Sequence, residues 1–273
     1  MKKVLVTGCF DDLRSSHVRF LEEASKFGNV HILLWSDEAQ QALAGKVPKF
    51  PQAERLYLLQ AVRYVFDVKL VALKTEAELF RQIKETGADC WVLDEASDHP
   101  QKRIFCESIG MEYKILKKED YIGFSILNLD LAGKELSRKK VVVTGCFDWL
   151  HSGHVRFFEE VSELGNLFVV VGSDENVRFL KGKEHPMFHQ DERRYMVQSI
   201  RFVKQALISS GHGWLDAEPE ISRIRPDIYA VNEDGDRPEK RSFCAEQGIH
   251  YLEFKRIPRE GLPKRESKDL RGY

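Results

Sequence analysis

VVVTGCFDWLHSGHVRFF, residues 141–158, decides how the chain folds. Its opening run is β-branched and reads as a short strand, Gly145 marks a tight turn, and His151, Gly153 and His154 fall in the first turn of a following helix. A strand that enters a helix through a glycine turn gathers unpaired backbone N–H groups and the positive end of the helix dipole at one point, which suits an anionic phosphate. Two imidazoles three residues apart lie on the same side of that turn. Cradle and donors therefore face one ligand.

The stretch has a twin upstream. VLVTGCFDDLRSSHVRFLEEASKFGNVHILLWSDE returns as VVVTGCFDWLHSGHVRFFEEVSELGNLFVVVGSDE, with Gly8 and Gly145 in register; ERLYLLQAVRYV returns as ERRYMVQSIRFV, and HPQKRIFCESIGMEY as RPEKRSFCAEQGIHY. A period of about half the chain is too long for a solenoid unit and matches a whole domain. In the first copy the patterns predict strands at 3–7, 30–35, 68–73 and 90–93, with helices at 16–26, 52–63 and 76–86 between them. Such alternation predicts an α/β fold: two tandem Rossmann-like domains, each a parallel sheet with helices on both faces. Ligands in that architecture bind at the carboxyl ends of strands, where both GCF turns lie. The polar run GKELSRKK at 133–140 reads as the linker, which places the boundary near Leu136 and the domains at 1–136 and 137–273.

With 273 residues and a formal charge of −1, the chain is long enough for two ordinary domains and is no bulk binder of nucleic acid or anionic membrane. Any phosphate site must be local. Five cysteines without paired close spacing fit neither a disulfide framework nor a zinc site. MKKVLVTG has too short an apolar run for a signal peptide and no segment reaches membrane-spanning length, so a cytoplasmic setting is expected.

GCFDWLHSGH resembles the GxFDxxHxGH signature of the nucleotidylyltransferase superfamily, and its surroundings resemble the cytidylyltransferase branch that includes glycerol-3-phosphate and phosphoethanolamine cytidylyltransferases. The resemblance implies transfer of a nucleotidyl group, CMP from CTP, to a small phosphorylated alcohol, amine or sugar, with release of pyrophosphate and with Mg²⁺ accompanying the triphosphate. Two alternatives stand beside it: an adenylyltransferase using ATP, and a regulatory pseudoenzyme that binds nucleotide. Family members commonly pair as homodimers, so two fused copies imply an intramolecular pseudo-dimer, with no nucleic-acid or membrane partner.

Nucleotidyl transfer needs no protein nucleophile, because the acceptor's phosphate oxygen attacks the α-phosphorus itself. Catalysis is then positioning and stabilisation of charge on the α-phosphate and the departing pyrophosphate. By resemblance that task falls to His151 and His154, with Lys183 from the lysine-bearing loop FLKGKEHP. The nucleotide contacts implied are Gly145, Cys146, Phe147, Gly153, Lys181, Arg201, Asn232, Asp234, Arg256 and Ser267. Those implied for the acceptor are Asp148, Trp149 and Arg193, and no protein metal ligand is implied. DIYAVNED carries Asn232 where the family usually has glycine, and the closing loop RIPREGLPKRESKDL at 256–270 is longer than its RTxGISTT-like counterpart and altered.

The two copies act as a control on each other. Arg14 stands for His151, Ser16 for Gly153 and Ala44 for Lys181, while His17 matches His154. The first site therefore reads as degenerate and inactive, and Arg14 as either a phosphate binder or a solvated charge. Arg193 and Arg201 recur as Arg55 and Arg63, and Asp148 as Asp11. A structural ion pair competes with acceptor contact for Arg193, and holding of the turn competes with it for Asp148. Trp149, replaced by Asp12, either lines the acceptor pocket or packs.

Overall fold

The computed structural model describes residues 1–126 and 138–270. They divide into two compact units, Met1–Gly123 and Phe124–Tyr273. The boundary expected near Leu136 lies outside the described residues.

In the first unit β1 (Lys3–Gly8), β2 (Asn29–Trp35), β3 (Val65–Val71), β4 (Cys90–Asp94) and β5 (Glu112–Leu116) form a parallel sheet in the order β3-β2-β1-β4-β5. Its helices are α1 (Ser15–Ser25), α2 (Asp37–Ala44), α3 (Gln52–Ala61), α4 (Glu76–Thr86) and α5 (Pro100–Ser108). The second unit repeats this element for element. Its strands are β6 (Lys140–Gly145), β7 (Asn166–Val171), β8 (Val203–Ile208), β9 (Ile228–Asn232) and β10 (His250–Phe254), in the order β10-β9-β6-β7-β8. Its helices are α6 (Ser152–Ser162), α7 (Asp174–Lys181), α8 (Gln190–Gln198), α9 (Glu218–Ile224) and α10 (Pro238–Gln247). The two tandem Rossmann-like domains read from the repeat are thus the observed architecture.

Every residue of Val141, Val142 and Val143 is buried, as is Val4, Leu5 and Val6, because helices cover both faces of each central strand and alternation disappears. Registers match too: Gly8 faces Leu34 as Gly145 faces Val171. Even the register shift in β2–β3 at Val30/His31 recurs in β7–β8 at Leu167/Phe168. The predicted strand at 68–73 begins earlier, at Val65, after this irregularity. In the second unit the chain winds outward from β6 through β7 and β8, then crosses to β9 and β10 on the other side. That switch opens a crevice at the carboxyl end of β6, beside the GCF turn.

Candidate active site

The turn after β6 is strained and tied down. Phe147 and Trp149 have φ of 51° and 75°, as Phe10 and Asp12 have 51° and 53° in the first unit. Left-handed backbone at bulky residues costs about 1–3 kcal/mol each and persists only where the surroundings impose it. Here the Asp148 carboxylate accepts the N–H groups of Met187 at 2.9 Å and Phe188 at 3.1 Å, binding the turn to the loop before α8. Asp11 does the same with Lys49 and Phe50, at 2.8 and 3.0 Å. Of the two readings for Asp148, the geometry supports the holding of the turn, although the residue also borders the cleft described below.

Arg193 is a correction to the sequence reading. It is 1% exposed, and its guanidinium donates to the carbonyls of Phe188 (2.9 Å), Cys146 (2.6 Å) and Gly172 (2.8 Å) and to Asp174 (2.7 Å). Arg55 makes the matching bonds to Phe50, Cys9, Trp35 and Asp37. A planar fork with this many fixed donors suits such a junction. Its donors knit loops together rather than reach toward an acceptor.

At the start of α6, His151 is the N-cap, its Nδ1 accepting the Gly153 N–H at 3.1 Å. With Nδ1 an acceptor, the neutral ring carries its proton on Nε2, and that atom is buried without a partner. The His154 ring stacks on it at 3.9 Å between centroids and has its own Nδ1 buried without a partner. Burial, reinforced by the cations Arg256 and Arg265, pushes the His151 pKa down to about 3. Burial, then the neighbouring His151, holds that of His154 well below the usual value. Both rings are neutral donors near pH 7. A Cβ at Gly153 would lie 3.0 Å from the first ring, so a side chain there would press on His151.

A cleft of about 400 Å³ opens over these rings. It gathers Gly145, Cys146, Phe147, Asp148, His151, His154, Lys181, Asn232, Asp234, Arg256 and Ser267. Arg256 stands at its rim, paired with Asp234 at 2.9 Å and donating to the Arg265 carbonyl at 3.0 Å. Four expected residues lie elsewhere. Lys183 is exposed on the loop beyond α7 and does not border the cleft. Trp149 is buried edge-on against Phe188 at 5.7 Å, so it packs. Arg201 is exposed just ahead of β8, at the amino end of the sheet, whereas the cleft lies at the carboxyl ends. Arg193 is the fourth. Gly153, adjoining the rings, lines a smaller pocket under the closing loop.

Several cleft residues escaped the sequence reading: Asn176, Trp214, Asp216, Arg237, Lys240 and Glu266. They carry no motif, but comparison of the copies could have found Asn176, which stands where the first unit has Ala39. The first unit's own cavity, about 290 Å³, is bordered by Gly8, Cys9, Phe10, Ser16, His17, Phe20, Asp94 and Tyr121. There Arg14 pairs with Asp12 at 2.7 Å.

A family model described as "Cytidylyltransferase-like" matches residues 5–118 and 142–237, once over each unit. The chain belongs to the cytidylyltransferase-like family. Among curated relatives of this family member, an FAD synthase of Ferroglobus placidus is 39% identical over 97 residues, 35% of this chain and 60% of the relative. An FAD synthase of Aciduliprofundum boonei is 40% identical over 113 residues, 40% of this chain and 72% of the relative. The bifunctional protein HldE of Campylobacter concisus is 38% identical over 112 residues, 40% of this chain and 23% of the relative. The chain thus spans three fifths of the first of these cytidylyltransferase-like relatives and under a quarter of the last. Among the described residues, no helix is long and apolar enough to cross a membrane.

Proposed function

We propose that the C-terminal unit is an adenylyltransferase that joins AMP from ATP to a small phosphate ester. The acceptor's phosphate oxygen attacks the α-phosphorus, the bond from that phosphorus to the bridging oxygen breaks, and pyrophosphate leaves with the electron pair. The observation that carries this reading is the neutral histidine pair at the head of α6, with the Nε2 donor of His151 buried and unpartnered beside the cleft. A fixed donor in a dry site stabilises charge as it grows on the phosphate oxygens, and costs no reorganisation when the bond breaks. A neutral imidazole serves there as hydrogen-bond donor rather than as acid. Lys181 at the cleft and Arg256 at its rim supply the positive field for a triphosphate.

ATP takes the place of CTP, the donor that the resemblance implies. FAD, the product named for two of the relatives, contains an adenylate joined to a flavin phosphate, and Asn232 departs from the glycine of the resembled branch at the turn after β9. Magnesium would arrive with the triphosphate. Among the described residues no three His, Cys, Asp or Glu side chains converge on a metal position. A cytoplasmic setting suits five cysteines that are all free thiols.

Thermal unfolding with ATP or CTP, each with Mg²⁺, tests the base, since a ligand bound by the folded state alone raises the apparent stability. ATP should protect more strongly. Pyrophosphate release with ATP and a pool of phosphate esters tests the chemistry. Protection by ATP without turnover on any ester would instead favour the regulatory pseudoenzyme.

A further inference from the structure

The cleft reaches past the histidines toward β8, and there the two units differ residue by residue. In the first unit Ala39, Val71 and Leu73 are buried with Trp91 in one apolar cluster. The register of the repeat puts Asn176, Ser209 and Gly211 at the first three positions and Tyr229 at the fourth. These polar residues are organised. The Asn176 carboxamide accepts the Gly213 N–H at 2.7 Å and donates to the Gly213 carbonyl at 3.1 Å, pinning the turn that carries Trp214 and Asp216. Ser209 donates its hydroxyl to Asp216 at 2.6 Å.

On the other side of β6 stands Lys240, 7% exposed. Its ammonium lies 3.3 Å from the Thr144 hydroxyl and 3.2 Å from the Gly235 carbonyl, over the Tyr229 ring. Asp216 and Lys240 both border the cleft, and no ion pair joins them. Asp216 is held by the Ser209 hydroxyl and the Asn176 side chain, and Lys240 by two neutral oxygens, which leaves an acceptor and a donor of opposite charge presented to the same space. Burial raises the Asp216 carboxyl and lowers the Lys240 ammonium from their usual values, each shift opposed in part by the other's charge.

We propose that this extension is the acceptor subsite and that it selects a sugar or polyol phosphate, with Asp216 accepting from, and Lys240 donating to, the acceptor's hydroxyl groups. The proposal rests on the adenylyltransfer reading above and adds the substrate class. Hydroxyls both donate and accept, so one polyol can satisfy the two residues at once. A flat flavin ring laid over them would leave a carboxylate and an ammonium desolvated and unpaired. An amino headgroup could pair with Asp216 but would meet the like charge of Lys240 and leave it without an acceptor.

The test supplies the intact chain with ATP, Mg²⁺ and one of ribose 5-phosphate, glycerol 3-phosphate, hexose 1-phosphates, phosphoethanolamine or flavin mononucleotide, and identifies products by mass spectrometry. A sugar or polyol phosphate should be adenylylated, and its deoxy analogue used at least about 10-fold less efficiently, because a site built to bond a hydroxyl rejects the analogue that lacks it. Asp216→Asn and Lys240→Met should each raise the acceptor KM about 10-fold or more and narrow that discrimination, while ATP still protects both variants against unfolding. Lys240→Arg, which keeps the charge, should retain more of it. Preference for flavin mononucleotide or phosphoethanolamine would overturn the substrate class and leave adenylyl transfer standing. Unchanged discrimination in both variants, or loss of ATP protection in the variants alone, would overturn the roles given to Asp216 and Lys240. No protection of the wild type by ATP would remove the adenylyltransferase reading itself, and this proposal with it.

Discussion

In α1 the third helical residue, His17, turns its Nδ1 back to accept the Arg14 N–H at 3.1 Å. In α6 the matching His154 makes no such bond, and His151 caps the helix instead, its Nδ1 accepting from Gly153 at 3.1 Å. Histidine in place of Arg14, with glycine in place of Ser16 beside it, goes with a reassigned cap and leaves imidazole nitrogens facing the cleft without partners. The backbone of the turn and its tethers are the same in both units, down to the positive φ values, the carboxylate of Asp11 or Asp148 and the arginine junction. The comparison teaches that scaffold and chemistry are separable here, and that the chemistry lies in which side chain closes the first turn of the helix.

The sharpest way to break that comparison is to remove each histidine in turn. His151→Ala should lower turnover about 100-fold to 1000-fold, about 3–4 kcal/mol on the scale of a lost oxyanion donor, whereas His17→Ala should leave turnover unchanged in a pyrophosphate-release assay. Next come the arginines, which should behave alike if the scaffold is shared. Arg55→Met and Arg193→Met should each destabilise their own unit by about 3 kcal/mol in urea unfolding, because each strands buried carbonyls and a carboxylate. A large loss of stability for one and none for the other would show that the two junctions are not equivalent.

Acid should weigh more on the second unit, where burial depresses both histidines of the turn against His17 alone in the first. The folded-state pKa of His151 is depressed to about 3 against an unfolded value near 6.5, so the unfolded chain takes up the proton first. Its contribution is intact above about pH 6.5 and is lost as the pH falls toward 3, with about 2 kcal/mol gone by pH 5. Urea midpoints measured from pH 7 to pH 5 should fall less steeply in His151→Asn than in the wild type. The smallest effect is expected from an attempted repair. Arg14→His with Ser16→Gly should restore no turnover to the first unit, because Ala39, Val71 and Leu73 pack the space that Asn176, Ser209 and Gly211 open in the second, and Asp94 borders the cavity where Asn232 borders the other.

Much of this was legible in the residues. The repeat and the buried run at 141–143 specify the paired parallel sheets, and the histidine spacing specifies the heart of the site. What escaped has physical reasons. Arg193 could not be told from a ligand-binding arginine because its partners are backbone carbonyls at Phe188, Cys146 and Gly172, which no sequence pattern displays. Lys183 follows Gly182, which ends α7 with φ of 94°, and lies outside the cleft that Lys181 borders. Lys240 is the third residue of α10 and recurs in the first unit as Lys102, so the repeat gives no sign that it borders the cleft. Only the folded placement of α10 brings its ammonium to the Thr144 hydroxyl and over the Tyr229 ring.

The arginine junction of the second unit has a consequence for traffic through the site. By drawing the loops after β6 and β7 and the loop before α8 onto one guanidinium, it makes three walls of the cleft a rigid frame before any substrate arrives. The remaining wall, from Arg256 to Ser267, is fastened at its surface by charged pairs such as Arg256 with Asp234 and Arg259 with Glu159. Such fastenings are weak in water and yield to a competing anion. Entry and exit should therefore run along that flank, with an incoming triphosphate loosening the latch by the same charge that later holds it in place.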